Sequence, residues 1–402
     1  MTERLYYTNA YQTVFDAQLV ALTTTNSQPT VVLDRTFFYP TSGGQPFDTG
    51  VLGGQRVVDV IAAETGEVLH LLDGALPTAT VGQTLHGAID WPRRYDHMQQ
   101  HSGQHLLSQI FYSHFGYETV SVHFGDVDST LDLDVAALEP AKVEAAELMA
   151  NELVYTALPI SAYFVTDSEL AKVPLRRPPK VTGQIRIVEI EKFDYSACGG
   201  THVHTTAEIG PIKLTKVERR RSQVRLTFLC GKRAYQDYAT KHRLLTETAN
   251  LFSTDIAEAP RLVERNLAQI KELQQAVKTF TEEQLAREAA ALANGARTVG
   301  NYRLVVQSFT DKDAGAVKIL AQNLQAYPSV IALLATVNGG KVSLIFTRAA
   351  DVDVHVGNLL RDALRHFGGS GGGRPDFAQG GGVDPAQTQA LLDFAMQQVQ
   401  SG

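Results

Sequence analysis

Residues 91–116 read WPRRYDHMQQHSGQHLLSQIFYSHFG, and this stretch decides how the centre of the chain folds. Pro92 directly follows Trp91, where a proline ring suits the start of a helix because no hydrogen bond is lost. The residues that then recur on one helical face are Met98, His101, His105, Leu106 and Ile110. We therefore predict a helix that presents two imidazoles, four residues apart, on the same side.

A second pair of metal-binding residue types, Cys198 and His202, stands in the Gly-rich segment CGGTHVHTTAEIG. Gly199 and Gly200 allow this segment to bend so that both side chains point inward. Imidazole nitrogen and thiolate sulfur are donors that zinc prefers, in tetrahedral geometry. Each pair alone is a weak signal, and spacing does not show that the pairs meet. Together they predict a Zn²⁺ site whose ligands are His101, His105, Cys198 and His202.

Four other residues of similar chemistry are given different roles. His97, one helical turn before the first ligand, is predicted to lie at the surface or behind a ligand. His204 follows the last ligand by two residues and points away from it in an extended chain. Cys230 stands in an apolar strand and is interpreted as a buried structural thiol. For Asp132 we favour a solvated strand carboxylate over a partner of a ligand histidine.

The bulk composition is that of a globular protein with more than one domain. The chain has 402 residues, of which 44% are hydrophobic and 20% charged, and its net charge is -7. This charge does not favour nucleic-acid binding by itself, so RNA contact requires local basic clusters. Two cysteines form no disulfide framework and fit a reducing compartment. Without a signal-peptide pattern or an apolar stretch of membrane-spanning length, a cytoplasmic protein without membrane contact is expected.

The pattern along the chain predicts an α+β multidomain protein in four parts. Residues 1–90 carry short β-branched runs broken by Gly, Pro and Asp, and predict a β-rich, barrel-like module. Residues 91–250 predict an α/β zinc domain. Residues 251–296 place apolar positions in a charged background and predict a long helical linker or a coiled-coil-like hairpin. Residues 297–402 predict a small Gly-rich α/β domain.

Basic residues cluster in three places that are candidates for phosphate contact. They are Lys213, Lys216, Arg219, Arg220 and Arg221; Arg93 and Arg94; and Arg176, Arg177 and Lys180. An ordinary basic β-turn is an equally good interpretation of the first cluster. The Gly-rich segment GGSGGGRPDFAQGGG, residues 368–382, is interpreted as a surface for RNA, a dimer surface or a mobile loop.

At these motifs the sequence resembles the editing domain of alanyl-tRNA synthetases. His101-Ser-Gly-Gln-His105 is similar to the first half of the editing motif, and Cys198-Gly-Gly-Thr-His202 to the second. FYPTSGGQPFDTG, residues 38–50, resembles the Gly-rich motif ahead of that domain, and residues 225–231 resemble the segment that closes it. The tail at 371–382 resembles the synthetases' C-terminal domain, which is shared with a class of phosphoesterases. This resemblance implies that residues 297–402 bind tRNA or form a homodimer.

Two features expected of a complete synthetase are not found in the sequence, and this decides which members of the family the chain resembles. Residues 1–90 are too short for a class II synthetase core, and no P-loop or dinucleotide fingerprint is present. The chain is therefore identified as a member of the free-standing alanyl-tRNA editing proteins of the long form. The resemblance implies ATP-independent hydrolysis in trans of Ser-tRNA(Ala), with Gly-tRNA(Ala) as a second candidate. The alternatives are a zinc hydrolase acting on another ester or amide, and a non-catalytic tRNA-binding regulator with structural zinc.

The resemblance also implies roles for residues around the metal. The candidate substrate-binding residues are Gly43, Gly44, Gln45, Ser102, Gln104 and Thr201, and the candidate catalytic residues are Gln45, Ser102 and His123. The Gly43–Gln45 turn would supply backbone donors to the amino acid or the developing oxyanion. His123 would contact the terminal adenosine or assist proton transfer, with a structural role as the alternative. Ser102 replaces the family's usual Thr and keeps the hydroxyl, but lacks a methyl worth about 1 kcal/mol.

The number of ligands bears on the mechanism. Catalytic zinc sites usually have three protein ligands and an open position, whereas four ligands are typical of closed structural sites. We expect an open position in which His101, His105 and Cys198 are the firm ligands and His202 is the least certain.

Overall fold

The computed structural model describes residues 1–179, 182–310 and 312–401, and it divides into two compact units, Met1–Thr248 and Ala249–Gly402. The mixed α/β multidomain character is as predicted. The predicted division at residue 90 falls inside the first unit, because the β-rich module and the helix after it belong to one compact body. None of the helices in the described ranges is long and apolar enough to cross a membrane.

The N-terminal module is a closed six-stranded barrel, which confirms the predicted barrel-like architecture. A short parallel pair, β1 (Glu3–Arg4) with β4 (Arg35–Thr36), lies beside it. The barrel strands are β2 (Val14–Thr25), β3 (Gln28–Leu33), β5 (Gly50–Leu52), β6 (Gln55–Ala62), β7 (Val68–Leu72) and β8 (Thr84–Ile89). They pair in the order β2-β3-β7-β6-β5-β8, and alternate residues of β2 such as Phe15, Ala17 and Leu19 fill the interior.

The predicted central helix is α1 (Trp91–Phe115), which ends at Gly116 in the left-handed conformation that favours glycine. Fifteen of its 25 residues are buried, so the helix is a core element rather than a one-sided surface helix. The buried side-chain amide of Gln100 is satisfied by the backbone of Cys230. Its Nε2 donates to the Cys230 carbonyl at 3.1 Å, and its Oε1 accepts from the Cys230 N–H at 2.9 Å.

Two antiparallel sheets complete the first unit around α1. The elements are β9 (Thr119–Phe124), β10 (Ser129–Leu133), α2 (Pro140–Tyr155), β11 (Ile160–Val165), α3 (Asp167–Leu170), β12 (Ile185–Ile190), β13 (Asp194–Ala197), β14 (Ile212–Arg220) and β15 (Gln223–Cys230). They form sheets of order β14-β15-β10-β9 and β11-β12-β13. The stretch 185–197 forms two strands, β12 and β13, joined by a turn in which Lys192 has a positive φ of 54°.

Helix α4 (Lys232–Leu251) continues into the first residues of the second unit, and the 36-residue α5 (Ala259–Asn294) follows it. Because α5 is continuous over the described residues 259–294, the alternative of a hairpin within this stretch is corrected. Five of its apolar side chains are each at least half exposed: Leu267, Ile270, Leu273, Val277 and Phe280.

The remainder of the second unit is a six-stranded sheet with helices. Its elements are β16 (Arg297–Val299), β17 (Tyr302–Thr310), α6 (Ala314–Leu324), β18 (Val330–Asn338), β19 (Lys341–Arg348), α7 (Val356–Phe367), β20 (Ser370–Gly373), β21 (Phe377–Gly381) and α8 (Thr388–Ser401). The order is β16-β17-β18-β19-β21-β20. Within the Gly-rich segment, β20 and β21 pair as a hairpin rather than forming a loop, and a Cβ at Gly371 would meet Gly380 Cα at 2.5 Å.

Candidate metal centre and substrate cavity

Two elements of the first unit bring the four predicted ligands together. Helix α1 carries His101 and His105, and the loop that follows β13 carries Cys198 and His202. The candidate donor atoms of all four residues lie within 4.8 Å of one another. Cys198 Sγ is 3.4 Å from Nε2 of His101 and 3.4 Å from Nε2 of His202. Three imidazoles and one thiol at these distances fit the donor set of a tetrahedral zinc ion.

Each imidazole of the cluster is held at its outer nitrogen by a different side chain. The Nδ1 contacts are His101 with Gln45 Oε1 at 2.8 Å, His105 with Asp194 Oδ2 at 3.1 Å and His202 with Ser102 Oγ at 3.2 Å. When Nδ1 donates its proton to such a partner, Nε2 keeps its lone pair for a metal. The surrounding residues therefore fix both the ring orientation and the tautomer that a metal site needs.

Gln45 lies behind the cluster rather than in the open cavity. Its side chain is fully buried, and Oε1 also accepts a hydrogen bond from the Thr201 N–H at 3.2 Å, while Nε2 donates to Thr201 Oγ1 at 2.8 Å. Gln45 and Thr201 thereby connect the Gly-rich turn of the N-terminal module to both halves of the metal motif. Of the two preceding glycines, Gly43 lines the cavity, and the Gly44 carbonyl accepts from the Phe124 N–H at 3.3 Å.

Ser102 also faces inward. Its hydroxyl is buried, accepts a hydrogen bond from the Val203 N–H at 3.2 Å and contacts His202, so it lies behind a ligand. Gln104 does line the cavity and donates to Ser108 Oγ at 2.7 Å. His123 is exposed on β9, where strand alternation directs it to the face opposite Phe124, whose ring packs on His101.

Two predictions about neighbouring residues need correction. His97 is buried rather than at the surface, its two ring nitrogens have no hydrogen-bond partner among the described residues, and burial lowers its pKa to about 4. Asp132 is not a solvated carboxylate, because Arg225 binds both of its oxygens at 2.7 Å and lowers its pKa. His204 stacks on Tyr11 with ring centroids 3.8 Å apart, and Cys230 is a buried free thiol.

The electrostatics of the cluster favour a thiolate. Burial by itself would raise the pKa of Cys198, but the neighbouring imidazoles, His101 above all, lower it well below its ordinary value. Burial likewise opposes a charge on His105, yet Asp194 and Cys198 raise the pKa of this imidazole to about 9. A Cys198 thiolate and a protonated His105 therefore stabilise each other here, and a metal ion bound to both would displace the His105 proton.

The centre opens onto a cavity of about 580 Å³ in the first unit. Three of the four ligands border it, and these are His101, His105 and Cys198. His202 is not among the residues that border the cavity, and its Nδ1 contact with Ser102 Oγ, at 3.2 Å, is the longest of the three. The accessible side of the candidate centre is therefore the side of His101, His105 and Cys198, and the expectation of a less firm His202 stays a prediction.

The basic clusters of the sequence have three different environments. Arg219, Arg220 and Arg221 are exposed at the turn between β14 and β15. Arg94 is fully buried in an ion pair with Asp48, which corrects its assignment as a phosphate contact. Arg176 and Arg177 line the cavity, and Lys180 lies outside the described residues.

Sequence reasoning did not identify Asp194, Tyr39 or Arg186 as site residues. Arg186 donates to the carbonyls of Cys198 and Gly200, both at 2.9 Å, and so holds the ligand loop in shape. Asp194 stands four residues before Cys198, and an acidic residue so near a ligand motif is the available signal.

Gly200→Ala is expected to lower zinc affinity by at least about tenfold, comparable to the loss of a group that orients a ligand. A Cβ at this position would stand 2.1 Å from His101 Cε1 and 2.4 Å from its Nδ1, so His101 must leave its place. Gly199→Ala is the matched control, because its Cβ would come no closer than 3.4 Å to Tyr7. Competition with a chromophoric chelator measures both, and equal affinities for the two variants would contradict the geometry.

Fold and site together define an α/β protein with a three-histidine, one-cysteine candidate metal centre at the wall of a small-molecule cavity. Three family models match the chain: "tRNA synthetases class II (A)" at residues 2–93, "Threonyl and Alanyl tRNA synthetase second additional domain" at 185–226 and "DHHA1 domain" at 301–401. The Alanyl-tRNA editing protein AlaX-L of Pyrococcus horikoshii is 30% identical over 100% of this chain and 99% of its own length. The chain belongs to the family of alanyl-tRNA editing proteins, as the motifs predicted.

Two further relatives show the same relationship. The Alanyl-tRNA editing protein Aarsd1 of Danio rerio is 28% identical over 90% of this chain and 87% of its own length. An Alanine--tRNA ligase of Methanothrix thermoacetophila is 29% identical over 98% of this chain, but over only 44% of the ligase. The chain therefore corresponds to the free-standing editing proteins along their length and to less than half of the ligase.

Proposed function

We propose that this protein hydrolyses, in trans, the aminoacyl ester of tRNA(Ala) charged with the wrong amino acid. Ser-tRNA(Ala) is the proposed main substrate and Gly-tRNA(Ala) the second. The observation that carries this proposal is the convergence of His101, His105, Cys198 and His202, of which the first three border a cavity, in a member of the alanyl-tRNA editing family. A cavity of about 580 Å³ is in the range that holds a small ligand, such as an amino acid on a terminal nucleoside.

Zinc is the proposed metal, and all four residues are its proposed ligands. When bound, zinc polarises a carbonyl or lowers the pKa of a water molecule to about 7. The chain's own contribution is orientation: Gln45, Asp194 and Ser102 each hold the outer nitrogen of one imidazole. Because three ligands border the cavity and His202 closes the rear, the substrate ester approaches from the cavity side.

The residues of the cavity wall support a proposal for recognition of the aminoacyl group. Gly43, Tyr39 and Gln104 line the space beside the ligands and are the proposed contacts. Ser102 and Gln45 are proposed to position ligands, since their polar atoms are already engaged behind the cluster. A substrate contact by the Ser102 hydroxyl would require breaking its bonds to His202 and Val203.

Two exposed features support the proposed partners. The three arginines at the β14–β15 turn, residues 219–221, offer positive charge for the RNA backbone outside the cavity. The exposed apolar side chains of α5 recur every three or four residues, which is the spacing of a helix that pairs with another helix. A second copy of this chain is the proposed occupant of that face.

Incubation with Ser-tRNA(Ala), Gly-tRNA(Ala) and Ala-tRNA(Ala) tests the proposed function. We expect release of serine and glycine and little release of alanine, measured as loss of labelled aminoacyl-tRNA. tRNA binding without turnover of any of the three would favour the regulator with structural zinc. Absence of both binding and turnover would favour a hydrolase of another ester or amide. Either result would refute the proposal.

A further inference from the structure

Among the described residues, three arginines line the cavity, and two of them already bond to other groups. Arg186 donates from Nε to the Tyr7 carbonyl at 3.2 Å and from Nη1 to two carbonyls of the ligand loop. Arg177 is about half exposed and pairs with Glu118 at 2.7 Å. The third, Arg176, is mostly buried, and its Nε has no hydrogen-bond partner within 3.5 Å among the described residues.

Arg176 lies against the carboxylate that orients a metal ligand. Its Nε is 3.6 Å from Asp194 Oδ1, and its Nη2 donates to Ser196 Oγ at 3.3 Å. Asp194 is buried, and its other oxygen, Oδ2, accepts from Ser196 Oγ at 2.8 Å and contacts His105 Nδ1 at 3.1 Å. A continuous series of contacts therefore joins Arg176, through Asp194, to the metal ligand.

We propose that Arg176 is a positioning residue of the metal centre, acting on His105 through Asp194. A carboxylate removed from water needs a nearby positive charge, and Arg176 is the cation that faces the free oxygen of Asp194. Arg176 beside Oδ1 leaves Oδ2 directed at Nδ1 of His105. A His105 ring held in this way would present Nε2 to a metal ion. The inference rests on the proposed zinc ligands, but not on the proposed tRNA substrate.

The test is zinc affinity of the full chain, measured by competition with a chromophoric chelator. Arg176→Gln is expected to weaken zinc binding by about tenfold, the lower end of the effect seen for groups that orient ligands. Arg176→Lys, which keeps the charge, is expected to recover most of the affinity. Arg177→Gln is the matched control: it removes the neighbouring cation of the same cavity wall, which pairs with Glu118, and leaves affinity unchanged.

A double-mutant cycle with Asp194→Asn tests whether Arg176 affects zinc affinity through Asp194. If Arg176 acts through Asp194, Arg176→Gln has little further effect in the Asp194→Asn background. The visible absorption of the Co²⁺-loaded protein should shift in both single variants, because the geometry at His105 changes in both. Full additivity in the cycle would overturn the proposal. So would unchanged zinc affinity and an unchanged Co²⁺ spectrum in Arg176→Gln, even if its KM for aminoacyl-tRNA rises.

Discussion

Cys198→Ala is expected to reduce turnover of Ser-tRNA(Ala) by about a thousandfold or more, which corresponds to a loss of about 4 kcal/mol of transition-state stabilisation. Cys198 supplies the single sulfur of the cluster, and its Sγ lies 3.4 Å from two of the three imidazoles. Its removal leaves three neutral donors without the charge that holds a divalent ion. Single-turnover deacylation and elemental analysis of the same preparation measure activity and metal content together.

The second cysteine of the chain provides the control. Cys230 is buried in β15 beside Gly103 of α1, and burial raises its pKa, so it stays a neutral thiol that binds no metal. Cys230→Ala is expected to keep both zinc and turnover, with only a modest loss of stability. A Cys198→Ala protein that remains folded and as active as the wild type would rule out the metal centre as the reactive site.

Arg94→Ala is expected to destabilise the first unit by about 3–5 kcal/mol, the usual cost of removing one partner of a buried ion pair. Neither Arg94 nor Asp48 has an exposed side chain. The Arg94 guanidinium also donates to the carbonyls of Ala10 and Phe37, at 2.7 and 2.6 Å. Its loss leaves a buried carboxylate and two carbonyls unpaired where α1 meets the N-terminal module.

Urea unfolding followed by tryptophan fluorescence measures this loss, because Trp91 is the single tryptophan of the chain and lies at the start of α1. Arg93→Ala is the control. Its partner Asp126 is largely exposed, and such a pair contributes at most about 1 kcal/mol. Similar midpoints for the two variants would show that the buried pair does not hold the barrel and α1 together.

The sequence predicted elements whose pattern is local. The i, i+4 histidines and the Gly-Gly turn marked both halves of the metal site, and α1 begins at Trp91, where Pro92 suggested. Strand β2 follows the same rule over residues 15–19, where buried Phe15, Ala17 and Leu19 alternate with exposed Asp16 and Gln18. From Val20 onward the alternation is lost, because Val20 and Leu22 are apolar and exposed.

The roles of individual side chains depended on contacts that no local pattern contains. Ser102 meets His202, and Gln45 meets Thr201, across 100 and 156 residues of sequence. The burial of His97 follows from the position of α1 inside the unit, where polar residues on nearly every side are covered. The two local motifs together therefore predicted the candidate ligands, whereas the residues that orient them required the folded structure.

Metal-dependent deacylation is tested most directly by measuring serine release from Ser-tRNA(Ala) by protein that has been stripped of metal and then titrated with zinc. We expect almost no release without metal and a linear recovery that ends at one zinc per chain, with Ala-tRNA(Ala) left intact throughout. Equal serine release by the stripped and the reloaded protein would show that deacylation does not depend on the metal.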